Sequence, residues 1–240
     1  QLSIWSGSVV ILIDGDIVAY RCAFKCNDES VKTACYTTGS FLSDLVSDLY
    51  TMIDGEPDYR VYLTGKGNFR NDVAVTAPYK GNRKDKEKPV HLEAIRKYLI
   101  EDWNAVVSED EEADDLIAID ATAIPDSIIV SLDKDFQQVP CRHYNFNKRE
   151  LTSVNEEEGL LFFYRQIIMG DKADNIVGVY GIGDKKSQKL LEGLTEIEMF
   201  NKCVELLESE ERVIENARLL WLRREPNQMW ERPSEEKNET

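Results

Sequence analysis

Apolar and polar positions fall into blocks that read alternately as strand and helix. The run VVILI (9–13) is short, β-branched and unbroken, the pattern of a buried strand. Phe41, Leu42, Leu45, Val46, Leu49 and Met52 recur at helical spacing and predict a helix over 40–53. RVYLT (60–64) reads as a second strand. The polar, glycine- and proline-punctuated stretch 66–91 that follows is longer than ordinary connections. A helix is expected at about 91–102, a weaker strand at 105–107, and a further helix over about 109–122. There Ser108 and Glu111 have capping-box spacing, and Ala113, Leu116, Ile117 and Ala121 supply the buried stripe. SIIVSL (127–132) is the strongest strand signal. The alternation predicts an α/β fold, a mostly parallel sheet with helices on both faces. From 159 the pattern turns helical: GLLFFYRQIIMGD, then GVYGIGDKKSQKLL (178–191), then two acidic amphipathic helices bearing Leu206, Leu207, Leu219, Leu220 and Trp221. The last stretch, PSEEKNET, predicts disorder.

Against these elements the acidic residues stand out by position. Asp14 and Asp16 follow the first strand. Glu112, Asp114 and Asp115 lie at a helix start, Asp133 and Asp135 after the 127–132 strand, and Asp171 and Asp174 after the 159 helix. Period-two alternation would put Asp133 and Asp135 on one side of an extended segment. Glu112 and Asp115, three apart, would share a helix face. Ligands of open α/β sheets gather at the carboxyl ends of strands, so these groups are expected to converge on one rim. Crowded carboxylates repel one another, and hard dications such as Mg2+ or Mn2+ are the usual compensation. Two such ions would activate a water and stabilise the leaving oxygen of a phosphodiester. Two histidines and the absence of a GxxxxGKS loop point away from a metal-free base mechanism and from a nucleotide triphosphatase.

The net charge of −16 argues against a nucleic-acid partner only until it is mapped along the chain. Lys66, Arg70, Lys80, Arg83, Lys84, Lys86 and Lys88 stand against Asp72, Asp85 and Glu87, so 66–91 is locally +4 and the remainder −20. A basic stripe on an acidic body suits a phosphate backbone. Tyr79 beside Lys80 and Arg83 suggests a stacking face next to cations, reading structure rather than sequence. In GVYGIGDKK, Gly181 and Gly183 before a helix start, with Lys185 and Lys186, have the makings of a backbone phosphate cradle. Five cysteines without CxxC spacing and two histidines give no zinc pattern and suit reduced thiols. No apolar run reaches the roughly 18 residues that span a bilayer, and VVILI is too short for a signal peptide. A cytoplasmic protein without a membrane partner is expected, and the start at Gln1 reads as a trimmed chain.

Taken together, VVILIDGD, PYKGNR, EADD, VSLDKDF, IMGDKADNIVGVYGIGDKK and the late RLLWLRRE–WERP resemble the 5′-nuclease superfamily of flap endonucleases and phage 5′–3′ exonucleases, traceable over about 9–233. The resemblance implies a PIN-like catalytic domain over 1–158 with an arch at 66–91. It also implies a helical domain over 159–233 with a helix–three-turn–helix element, and a disordered tail over 234–240. It makes Asp14, Glu112, Asp114, Asp115, Asp133, Asp135, Asp171 and Asp174 ligands of two metal ions or their water-bridged neighbours. Lys80 and Arg83 become contacts of the scissile phosphate. Gly181 and Gly183 become a hairpin that can also hold K+ against DNA. DNA with 5′ ends, nicks or flaps is the implied partner of a monomer, with RNA–DNA hybrids an open alternative.

One position departs from that family. Where it carries an aspartate after the second strand, this chain has Gly65 in LTGKGNFR, and Asp16 is the nearest carboxylate that could compensate. Two rival readings follow. One is a structure-specific DNA-binding protein that has lost its chemistry. The other is a haloacid-dehalogenase-type phosphatase, whose DxD motif VVILIDGD fits and whose later GDxxxD spacing GDKADN misses by one residue.

Overall fold

Strand β1 (Val10–Asp14) runs directly into α1 (Gly15–Lys25), then α2 (Val31–Tyr50), β2 (Asp58–Lys66), α3 (Arg70–Val73) and α4 (Leu92–Asp102). Next come β3 (Val106–Glu109), α5 (Ala113–Ala123), β4 (Ser127–Val130) and the hairpin β5 (Arg142–Asn145) and β6 (Glu150–Ser153). The chain continues with α6 (Glu156–Met169), β7 (Gly170–Asp171), β8 (Ile176–Val177), α7 (Asp184–Leu191), α8 (Glu196–Leu207) and α9 (Glu210–Leu220). The computed structural model describes residues 9–53, 57–83 and 87–234. The expected tail beyond Ser234, and Lys84 and Lys86 of the basic stretch, lie outside them.

Two compact units divide the chain. One comprises the chain up to Gly67 with Glu87–Phe136 and Cys141–Ser153; the other comprises Asn68–Lys86, Gln137–Pro140 and the chain from Val154 on. The two units are interleaved along the sequence. The first part of the basic stretch belongs with the second unit because its side chains are bonded there, as described below.

In the first unit the sheet order is β3-β2-β1-β4-β5-β6, parallel throughout except for β6, which pairs antiparallel with β5. Side chains alternate across β1. Ile11 and Ile13 enter a core with Val18 and Ala19 of α1, Leu42 and Leu45 of α2, and Ile95 and Leu99 of α4. Arg60 and Tyr62 of β2 reach Asp120 of α5 on the opposite face, at 2.7 and 2.5 Å. Helices therefore cover both faces, as the alternation predicted.

Several boundaries moved. Helix α2 begins nine residues before the expected start at 40, capped by Ser30, whose hydroxyl accepts from Thr33 N at 3.1 Å. Its first half, VKTACYTT, has no strong apolar stripe; burial of Ala34 and Thr38 decides it. Helix α1 was not anticipated; its buried face is formed by Val18, Ala19, Cys22 and Ala23. Its first residue must be glycine, because a Cβ on Gly15 would lie 2.5 Å from Tyr62 O. Helix α5 starts at 113, not 109, so Glu112 rather than Ser108 is the cap.

The second unit is a helical cluster whose core includes Phe163, Ile167, Leu191, Phe200, Val213 and Trp230. Asn155 and Glu158 bond reciprocally, 2.9 and 3.0 Å, to start α6. Cys22, Cys26, Cys35, Cys141 and Cys203 are free thiols. Among the described residues no helix is long and apolar enough to cross a membrane.

Candidate active site

Asp14 sits where β1 ends and caps α1: its Oδ1 accepts from Ile17 N at 3.1 Å. Its Oδ2 accepts from the hydroxyl of Ser131 at 2.8 Å, and the same hydroxyl accepts from Asp133 N at 3.0 Å. Ser131 therefore ties the ends of β1 and β4 together. The sequence reading missed it, since one serine after a strand carries no distinguishing signal. Asp14 is 2% exposed. Burial raises its carboxyl to about 7, with Asp16 and Asp133 adding repulsion and the Ser131 and Ile17 bonds opposing it. Asp133 Oδ1 in turn accepts from Asp135 N at 2.9 Å, at the start of a 3-10 turn over Lys134–Gln138. The segment is thus a capped turn and not the extended run expected, and β4 ends at Val130.

The second group surrounds the start of α5. Glu112 and Asp115 are buried and Asp114 is half-buried. Asp115 Oδ2 accepts from Glu112 N at 3.2 Å, so the three-residue spacing forms part of the helix cap. Ser108, the expected cap, instead donates to Glu111 O at 2.6 Å and accepts from Gly65 N at 3.0 Å. Gly65 has no room for a side chain: a Cβ there would lie 1.9 Å from Ser108 O. Asp16 does not take over as a free carboxylate, because it is ion-paired with Arg96. Lys66, at the end of β2, is exposed.

In the second unit Asp171 Oδ1 accepts from Ala173 N at 2.7 Å and Asp174 N at 3.2 Å. Asp174 receives the phenol of Tyr79 at 3.1 Å, the ammonium of Lys80 lies 3.9 Å away, and its carbonyl accepts from Lys80 N at 2.9 Å. Tyr79 is only 8% exposed, so the expected stacking face is turned into the core and the residue acts through its hydroxyl. Arg70 is likewise corrected. It is 1% exposed, with Nε and Nη2 each 2.8 Å from the carbonyls of Leu219 and Trp221. It closes the open end of α9 and is withheld from any outside phosphate. The backbone of Arg83 lies in a 3-10 turn over Gly81–Arg83; its side chain is outside the described residues.

A turn at Tyr180–Gly181 precedes α7. Gly181 has φ +76°, nothing lies within 4 Å of where a Cβ would sit on Gly181 or Gly183, and Ile182 anchors the loop by burial. Lys185 and Lys186 are exposed, while Asp184 is ion-paired with Arg165.

Among the described residues no group of three or more His, Cys, Asp or Glu side chains stands ready to hold a metal ion. Asp14, Asp115, Asp133 and Asp171 each turn one oxygen to a backbone amide of their own segment. The donor chemistry still fits a hard dication. Only oxygen donors are offered, and Asp14, raised chiefly by burial with Asp16 and Asp133 adding to it, gains from added positive charge.

A family profile described as the 5′–3′ exonuclease N-terminal resolvase-like domain matches residues 9–162. DNA polymerase I of Bacillus caldotenax is 31% identical over 214 residues, 76% of this chain and 23% of that protein. Flap endonuclease Xni of Shewanella piezotolerans is 36% identical over 135 residues, 49% of this chain and 52% of that protein. The chain thus spans about a quarter of the polymerase and about half of Xni. The structure of bacteriophage T5 D15 flap endonuclease in a complex with DNA and metal ions has a TM-score of 0.65 at 21% identity, over 88% of each chain. That likeness shows a shared fold, the PIN-like α/β architecture.

Proposed function

The chain belongs to the 5′–3′ exonuclease family through its N-terminal resolvase-like domain, and on that premise we propose that it is a divalent-metal-dependent nuclease. Its substrate is DNA with a 5′ end, nick or flap, and it hydrolyses phosphodiester bonds at or near that end. The observation that carries this reading is Asp14: a buried carboxylate at a strand end, oriented by neutral donors, with Asp16 and Asp133 raising the cost of its charge. In the first unit Asp14, Glu112, Asp114, Asp115, Asp133 and Asp135 are the proposed holders of two Mg2+ or Mn2+ ions. Asp171 and Asp174 are the second unit's carboxylates of the same chemistry. When bound, a pair of dications brings a water toward ionisation near neutral pH and offsets charge on the leaving 3′ oxygen.

The chain's own groups do the rest. The Ile17 amide and Ser131 hydroxyl fix the orientation of Asp14. Lys80, held by Asp174 until a phosphate competes for it, neutralises negative charge at the scissile phosphate, and Arg83 is proposed beside it. Gly181 and Gly183 open backbone amides to a duplex phosphate, with K+ as a further ion there and Lys185 and Lys186 adding charge. The helices from α6 on are the proposed helix–three-turn–helix domain. RNA–DNA hybrids are a further substrate, and a monomer in the cytoplasm is the setting this reading implies.

The test is incubation of the protein on end-labelled nicked, flapped and blunt duplexes, with Mg2+ or with chelator. Cleavage near the 5′ end that requires Mg2+ or Mn2+ is expected; its absence on every substrate would sink the proposal. Gly65 favours a second reading, since a carboxylate cannot be accommodated there: a DNA-binding protein without turnover. It predicts salt-sensitive binding of flapped DNA with no product. The phosphatase reading falls with the family assignment.

A further inference from the structure

Thr64, at the end of β2, is held on both backbone groups by residues outside its strand. Its amide donates to Asp16 Oδ2 at 2.8 Å, and its carbonyl accepts from Arg96 Nη2. Arg96 Nη1 pairs with the other oxygen of Asp16, so one guanidinium fork from α4 closes a ring through Asp16 of α1 and Thr64. The pair is largely withdrawn from water, with side chains 20% and 23% exposed. The hydroxyl of Thr64 then accepts from Ala113 N at 3.0 Å. That amide is the first of α5, one of the helix-start donors with no partner inside the helix. The same turn carries Glu112, Asp114 and Asp115. An unbroken chain of bonds thus runs from Arg96 through Asp16 and Thr64 to the segment on which three proposed ligands sit.

We propose that Asp16 and Arg96 are positioning residues of the carboxylate site. They clamp Thr64, whose hydroxyl fixes the start of α5, and Asp16 is not itself a metal ligand. The inference rests on the metal-dependent reading above. It explains why a second acid stands two residues from Asp14 without joining it, both of its oxygens being engaged by the clamp. Gly65 belongs to the same arrangement. Its missing side chain lets β2 approach Ser108 O closely enough for Thr64 to sit beneath α5. Arginine is required because only a planar fork bonds Asp16 and the Thr64 carbonyl together; lysine supplies the charge without the geometry.

The test measures Mn2+ binding to the DNA-free protein by calorimetry, alongside the Mg2+ dependence of turnover and the melting curve. Arg96→Lys is expected to weaken Mn2+ binding roughly 10- to 100-fold and to raise the Mg2+ needed for half-maximal rate. Asp16→Asn is expected to do the same with the number of bound ions unchanged. Thr64→Val should reproduce the loss and Thr64→Ser restore wild-type affinity, which decides the matter even if Arg96→Lys fails to fold. Wild-type Mn2+ affinity in both Arg96→Lys and Thr64→Val would overturn the proposal, as would loss of one bound ion in Asp16→Asn alone. Mn2+ binding that responds to these variants in a wild type that cleaves no DNA would leave the clamp standing and remove the nuclease reading. No Mn2+ binding by the wild type removes both.

Discussion

In the first unit Asp14 is held by an amide and a hydroxyl, and burial lifts its carboxyl to about 7; in the second, Asp174 faces a phenol and a lysine ammonium. Neutral donors orient a carboxylate without cancelling its charge, whereas an ammonium does both. The contrast assigns the two regions different chemistry. The Asp14 region stores a demand for positive charge that a dication can meet. The Asp174 region carries its own cation, Lys80.

The contrast breaks most sharply at Asp14. Asp14→Asn is expected to lower the Mg2+-dependent cleavage rate on the order of 10⁴-fold, as for a member of a catalytic unit. Wild-type rates in a single-turnover assay would end the assignment. Stability should move the other way with pH. The carboxyl of Asp14 is raised in the fold, so its protonated form is favoured there. Its contribution is full below about pH 4 and lost as pH rises through about 7, a fall of a few kcal/mol at most. Urea titrations in chelator should show that fall, and Asp14→Asn or added Mg2+ should flatten it.

Lys80→Ala sharpens the other half. Loss of the cation is expected to cost about 10²-fold in rate while leaving Mn2+ binding close to wild type. Equal loss of metal affinity would mean that Lys80 supports the carboxylates instead. Arg70→Met is predicted to cost about 2 kcal/mol in unfolding experiments, from two lost charge-assisted bonds, without altering the salt dependence of DNA binding. The smallest effect belongs to the hairpin: Lys186→Ala should reduce the slope of log affinity against log salt by about 1.

Local patterning carried much of the fold. VVILI, LEAIRKYLIED and SIIV declare β1, α4 and β4 because burial of an unbroken or periodic apolar run leaves little choice of structure. The acidic residues after β1 and β4 and at the start of α5 were legible for the same reason, as charges beside runs that must be buried. Those determinations needed only neighbours in sequence. Tertiary structure decided which charged and polar groups those residues would meet. Arg70 reads as one more cation of a basic stretch, yet its partners lie 149 and 151 positions away. Tyr79 reads as a stacking ring, yet its hydroxyl is turned to Asp174, 95 positions on. Asp16 reads as a twin of Asp14 until Arg96, 80 positions distant, claims it. Apolar burial is set by composition along a segment, but a hydrogen bond is set by where two distant backbones bring one donor and one acceptor, and nothing in either segment records the other.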